Sequence, residues 1–126
     1  MKRLVVERTT DGSALWAVDV ADSWLSRLRG LIGRPSLAVG EGLYFPSTNG
    51  IHMLFMRFAI DCVFVRPAPG GGDILEVVVV RRDLRPWIGV VWFVRYARGA
   101  LELGAGSAAR AGINVGDRLR LVPGEV

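Results

Sequence analysis

One nearly continuous apolar stretch of this sequence, residues 51–65, carries an imidazole, a guanidinium and a carboxylate on His52, Arg57 and Asp61. A charge that is buried without a partner is costly. We therefore expect Arg57 and Asp61 to pair with each other, with backbone groups or with a ligand. The stretch is shorter than the roughly 20 apolar residues that a membrane-spanning helix needs, so it belongs to a protein core.

Glu102 is a second candidate acid, because it stands between Leu101 and Leu103 in a short strand-like run. If this run lies beside the strand of Asp61, the two carboxylates could share one face of a sheet, with Arg57 close to both. One interpretation is structural, with Arg57 tying the carboxylates to loop backbone. The other is a polar pocket that binds a small polar ligand, with Arg57, Asp61 and Glu102 as its candidate residues and His52 at its margin.

An enzymatic version of this pocket would use Asp61 and Glu102 as an acid/base pair, in a hydrolase-like or carbohydrate-processing reaction. We place it second to a non-enzymatic binding domain, because common sequence signatures of zinc, nucleotide and serine-hydrolase sites are absent. The sequence predicts no metal and no cofactor. Cys62 is the only cysteine, so no internal disulfide forms, and a lone cysteine in an apolar strand is typical of a small buried side chain.

Residues 81–98 form the other unusual segment, since they interleave five arginines with aromatic and aliphatic side chains. Such a segment is compatible with a core or edge strand, with a protein or homodimer interface, or with single-stranded nucleic acid, which is the least favoured of the three. The partner-surface candidates are Trp87, Trp92, Phe93 and Arg95. If residues 88–94 form a strand, one of its two adjacent aromatics must point away from the core.

Composition frames these sites. The 126 residues are 51% hydrophobic and 22% charged, which predicts one globular domain, residues 1–126. The net charge of +4 comes almost entirely from arginine, which can bind anions. The acidic residues are interspersed and no long run of arginines occurs, so we interpret the charge as a feature of composition and not as an anion-binding site. The first eight residues lack the apolar region of a signal peptide, so we expect a cytoplasmic protein without a membrane segment.

The pattern of elements predicts a mainly β fold, a compact and mostly antiparallel β-sandwich or partly closed barrel. A turn at residues 10–13 indicates an N-terminal hairpin, and the run of Pro and Gly at residues 67–73 indicates a second one. One substantial helix is predicted at about residues 22–31, and a short helical turn near residues 107–111 ends at Gly112.

The order of seven short motifs resembles a known family. These motifs are Gly30–Arg34, Glu41–Leu43, His52 with Phe55–Arg57, Ile60–Asp61 with Phe64–Val65, Pro86–Trp87, Leu101–Leu103 with Gly106, and Gly112–Ile113 with Gly116–Asp117. In this order they resemble the family called domain of unknown function 192, from about Ala21 to Val122. The resemblance implies a small β-sandwich or barrel with short helices, and it implies no particular reaction.

Overall fold

The computed structural model describes residues 2–21, 36–52, 57–91 and 93–124, without the side chain of His52. The described strands are Arg3–Arg8 (β1), Ala14–Val20 (β2), Glu41–Pro46 (β3), Ile51–His52 (β4), Ile60–Pro67 (β5), Ile74–Leu84 (β6), Val90–Val91 (β7), Gly99–Gly104 (β8) and Arg118–Pro123 (β9). One short helix, Ser107–Ala111 (α1), is described. The helix predicted at residues 22–31 lies outside the described residues.

Seven of these strands form one sheet, in the order β1-β2-β3-β8-β5-β6-β9, and β9 returns to pair with β1. The ladder between β6 and β9 has three residue pairs, so this part of the ring is narrow. β2 and β3 run parallel, and the other pairs of the ring are antiparallel. The prediction of a mainly β, mostly antiparallel fold is confirmed, and the sheet is one ring of strands instead of two stacked layers.

Both predicted hairpins are present. β1 and β2 pair across the turn that contains Gly12, whose φ of 72° explains the glycine there. β5 and β6 pair across residues 68–73, where Gly70 and Gly72 also adopt positive φ. The helical turn α1 is confirmed as well, and it ends at Gly112 in the left-handed conformation.

The sheet has an apolar cluster on each face along β5 and β8. The inner cluster fills the ring and consists of Val6, Trp16, Val18, Val63, Val65, Val77, Leu101, Leu103, Ala108, Ile113 and Leu119. The outer cluster covers the opposite face and consists of Ala21, Leu37, Leu43, Phe45, Ile51, Ile60, Cys62, Phe64, Val94, Ala97 and Ala100. β5 is buried on both faces because its alternate side chains enter the two clusters in turn.

A strand was one of the alternatives expected for residues 88–94. Within the described part of this segment, Val90 and Val91 pair with β4 in a separate two-stranded sheet. Val94 is buried in the outer cluster, whereas Ile88 and Phe93 are 72% and 68% exposed. None of the helices in the described ranges has the length and apolar character required to cross a membrane.

Candidate functional site

Asp61 is a buried carboxylate held by backbone groups. Asp61 is 1% exposed. Its Oδ1 accepts a hydrogen bond from the N–H of Asp83 at 2.9 Å. Oδ2 accepts two more, from the N–H groups of Gly106 and Ala108, both at 3.0 Å. The carboxylate thus joins β5 to the end of β6 and to the first turn of α1.

These three contacts explain why a charge is tolerated in the core. Backbone N–H groups at the start of a helix have no partner within the helix and carry partial positive charge, so they suit a carboxylate. The third donor, Asp83, has a φ of 54°, a left-handed conformation that aspartate adopts more readily than most residues other than glycine. Asp61 therefore satisfies two helix donors and also holds the left-handed backbone at Asp83.

An ion pair between Arg57 and Asp61 was one of three expected alternatives, and the described residues do not form it. Arg57 is exposed, and among the described residues no ion pair includes it. The prediction that Asp61 pairs with backbone, one of the three alternatives, is the one that the geometry supports.

Glu102 is also buried, at 5% exposure, but on the other face of the sheet. In the ladder between β5 and β8, Glu102 stands opposite Cys62 and Asp61 stands opposite Leu103. Residues opposite each other in a ladder point to the same face, and neighbours along a strand point to opposite faces. Glu102 therefore shares the outer face with Cys62, whereas Asp61 points to the inner face with Leu103.

The expectation of a shared face for the two carboxylates is therefore wrong. The ladder is continuous from Ile60 to Val65, so no bulge restores a common face. Asp61 and Glu102 therefore do not line one common pocket. They cannot act together as an acid/base pair on one substrate. Whether Arg57, Asp61, Glu102 or His52 contacts a ligand separately stays a prediction, and the side chain of His52 lies outside the described residues.

Cys62 follows Asp61 in β5 and stands opposite Glu102 of β8, and it is unsuited to act as a nucleophile. Burial raises the pKa of the Cys62 thiol well above its ordinary value, and the nearby carboxylates of Glu102 and then Asp61 raise this pKa further. Because the thiolate is the reactive form, the thiol stays protonated and inert at neutral pH. In the described part of the chain, no three His, Cys, Asp or Glu side chains cluster as metal ligands do.

The segment of residues 85–98 is the most exposed apolar part of the described chain. Its exposed large side chains are Trp87 (53%), Ile88 (72%), Val90 (41%), Phe93 (68%) and Tyr96 (60%). Three arginines of this segment, Arg85, Arg95 and Arg98, are exposed too. We call this set of residues the 85–98 surface. Of the four partner-surface candidates, Trp87, Phe93 and Arg95 lie on it, and Trp92 lies outside the described residues.

Two aromatic residues of the 85–98 surface are held in a costly backbone conformation. Trp87 has a φ of 68° and Tyr96 a φ of 69°, in the left-handed region that bulky residues rarely adopt. Two guanidinium groups lie over the ring of Tyr96, with the Cζ atoms of Arg95 and Arg66 at 5.0 and 5.9 Å from its centroid. Local strain of this kind concentrates at functional sites, because the surrounding structure must maintain it.

Sequence reasoning missed the helix contacts of Asp61 and a cavity beside α1. That cavity, of about 230 Å³, is lined by Ala14, Leu15, Trp16, Val39, Gly40, Ser107, Arg110 and Ala111. The residues that line this cavity come from three segments that are far apart in sequence, so no local sequence motif indicates the cavity. For Asp61, the signal was the Gly106-Ser107 pair that opens a helical turn and needs an acceptor for its N–H groups.

Comparisons with known proteins agree with this fold. The model of a family described as "Uncharacterized ACR", the domain of unknown function 192, matches residues 6–121. A structure from Sinorhizobium meliloti 1021 described as a "putative transcription regulator" is similar, with a TM-score of 0.75 and 22% identity over 95% of this chain and 92% of that one. So is a protein of unknown function from Novosphingobium aromaticivorans DSM 12444, with a TM-score of 0.73 and 22% identity over 94% and 83% of the two chains. Among curated proteins, none matches the sequence.

Proposed function

This chain belongs to the domain of unknown function 192 family, and we propose that it is a non-enzymatic binding domain that docks on a protein partner. The observation that carries the proposal is the 85–98 surface, where five large apolar side chains are exposed within ten residues. Single exposed apolar residues are ordinary, whereas a contiguous group of them is typical of a protein-binding site.

The chemistry of the 85–98 surface indicates what the partner presents. It combines exposed aromatic rings with the exposed aliphatic side chains of Ile88 and Val90, and it also carries exposed arginines. Protein interfaces have this composition, in which aromatic and arginine residues carry much of the binding energy. We infer a partner with an apolar patch that is bordered by Asp or Glu side chains.

A nucleic acid is the second candidate, supported by the exposed arginines Arg81, Arg82, Arg85, Arg95 and Arg98. Bases stack on aromatic rings and on guanidinium planes, but β-branched aliphatic side chains offer them no stacking surface. The most exposed large apolar residue of this surface is Ile88, which favours a protein partner over a single strand.

The test compares two variants in affinity capture from lysate of the native host, read by quantitative mass spectrometry. Ile88→Ser combined with Phe93→Ser removes the two most exposed large apolar side chains of the 85–98 surface. Val115→Ser is the matched control, because Val115 is 66% exposed and lies outside this surface. We expect a protein that is captured by the unchanged chain and by Val115→Ser, and is lost with the double variant.

Two further measurements separate the alternatives. If the partner is a second copy of this chain, the unchanged protein would sediment as a dimer at micromolar concentration. The double variant would then sediment as a monomer. Binding to a single-stranded oligonucleotide that weakens steeply with salt would favour nucleic acid. Equal capture by all three proteins, with no dimer, would show that the 85–98 surface is not an interface.

A further inference from the structure

We propose that the cavity beside α1 is a binding site for a small carboxylic acid with an apolar body. The cavity of about 230 Å³ lies among the first residues of β2, the turn before β3 and the helix α1. It is separate from the 85–98 surface and shares no residue with it. The proposal is therefore independent of the proposed function.

The cavity arises where the ring of strands changes its pairing. The parallel ladder between β2 and β3 begins at Ala17 and Glu41, so the first three residues of β2 have no partner on β3. The ladder between β1 and β2 shifts at the same place, because Val6 pairs with Trp16 but Glu7 pairs with Ala14. Leu15 is thus an extra, bulged residue, and such bulges are common beside functional sites because they redirect side chains.

The lining of the cavity is apolar, with two polar exceptions that differ in burial. Trp16 is 4% exposed and Val39 is 55% exposed, so the apolar wall runs from the inner cluster to the surface. Arg110 is exposed and, among the described residues, takes part in no ion pair. A guanidinium that is free to form two parallel hydrogen bonds fits a carboxylate.

Ser107 gives the second, independent indication of a ligand. It is 1% exposed and lines the cavity, and its Oγ has no hydrogen-bond partner among the described residues. A buried hydroxyl without a partner is costly and rare, and an oxygen of a bound molecule would satisfy it. The N–H groups of Gly106 and Ala108, on either side of Ser107, already donate to Asp61. The Ser107 hydroxyl and the Arg110 guanidinium are the groups that we assign to the ligand.

The volume restricts the size of the ligand. Pockets that enclose drug-sized molecules measure about 300–1,000 Å³, so this cavity suits a smaller compound. We infer an acid of the size of benzoate or hexanoate, with the apolar body against Trp16 and Leu15 and the carboxylate on Arg110.

The experiment is a titration with benzoate and with hexanoate, followed by ¹H–¹⁵N NMR. We expect saturable shifts in the Trp16 indole N–H and in the amides of residues 107–111, and no saturable shift with cyclohexanol at equal concentration. Arg110→Gln should weaken benzoate binding by about tenfold or more, because a hydrogen bond to a charged group is lost. Arg118→Gln is the matched control, since Arg118 is an exposed arginine outside the cavity.

Because Arg110 is exposed, its variant should keep the fold, which the undisturbed spectrum verifies. Three results would overturn the proposal. One is the absence of saturable shifts at millimolar acid, and another is equal affinity of Arg110→Gln and the unchanged chain. The third is a set of shifts that follows the exposed arginines in general, which would mean that the acid binds adventitiously to surface charge.

Discussion

At the scale of single residues, the fold depends on how one carboxylate is satisfied. Asp61 accepts three backbone N–H groups from two different parts of the chain, and a neutral side chain there leaves at least one buried donor without an acceptor. The sequence showed that a buried acid in an apolar strand needs partners. It could not show which partners, because Asp83 and Gly106 come near Asp61 only when the ring has formed.

Replacing Asp61 by Asn should lower the free energy of unfolding by roughly 2–4 kcal/mol. The amide keeps one acceptor oxygen and brings an NH₂ group towards backbone N–H donors, so it repels at least one of them. Chemical denaturation followed by circular dichroism measures this loss.

The control for this substitution is Arg57→Gln. Arg57 is exposed, so its loss should change the free energy of unfolding by less than about 0.5 kcal/mol. Similar losses in the two variants would mean that an Arg57–Asp61 ion pair, and not the backbone contacts, holds the carboxylate.

At the scale of elements, the sequence predicts strands well and their register poorly. The alternation in residues 60–65 and 101–103 correctly separated the two faces of each strand, as the two clusters show. The relative register of β5 and β8 decides whether Asp61 and Glu102 meet, and a slip of one residue reverses the answer. This register is set by long-range packing, which no local pattern encodes.

The 85–98 surface illustrates a different limit. Residues 88–94 have the composition of a buried strand, with Val, Ile and aromatic side chains, and a strand was one of the alternatives expected for them. Among the described residues of this run, Val90 and Val91 pair with another strand. The left-handed conformations of Trp87 and Tyr96 interrupt regular pairing, and composition does not encode such conformations in residues other than glycine.

Gly42 shows how closely β3 and β8 pack. A Cβ atom at Gly42 would lie 2.5 Å from the carbonyl oxygen of Glu102 and 2.7 Å from Cδ2 of Leu103. The first atom is backbone within a ladder and cannot move without breaking pairs. Gly42→Ala should therefore lower the free energy of unfolding by roughly 1–3 kcal/mol, as overpacking does, and thermal melting measures the effect.

A larger side chain at an open glycine provides the comparison. Gly72 has a φ of 63° with no atom within 4 Å of an added Cβ, and asparagine tolerates this conformation. Gly72→Asn should change stability by less than about 0.5 kcal/mol, although it adds more atoms than Gly42→Ala. If Gly42→Ala lowered the free energy of unfolding as little as Gly72→Asn, the inference that β3 and β8 pack too closely at Gly42 to admit a Cβ would be wrong.

At the scale of the whole molecule, the ring of strands brings the two ends of the described chain together. β1 pairs with β9, and the N–H of Gly124 donates to the carbonyl of Arg3 at 3.1 Å. Composition and turn signals predicted a sandwich or a partly closed barrel, and the structure shows one sheet of seven strands in which β9 pairs with β1. A cytoplasmic location stays a prediction.

The ring predicts that the order of the strands along the chain can be changed while the pairing is kept. A circular permutant would join the present ends with a short Gly/Ser linker and begin at Gly71, within the turn between β5 and β6. Because the ends are adjacent and this turn is a surface connection, we expect the permutant to fold and to melt cooperatively. Far-UV circular dichroism during heating measures both properties.

The matched control is a chain cut after Asp117, which lacks β9 and leaves β1 and β6 each without a neighbour. Exposed edges of this kind favour aggregation, so the cut chain should fail to give a cooperative transition. A cooperative melt of the cut chain at the unchanged temperature would mean that the ring does not need β9.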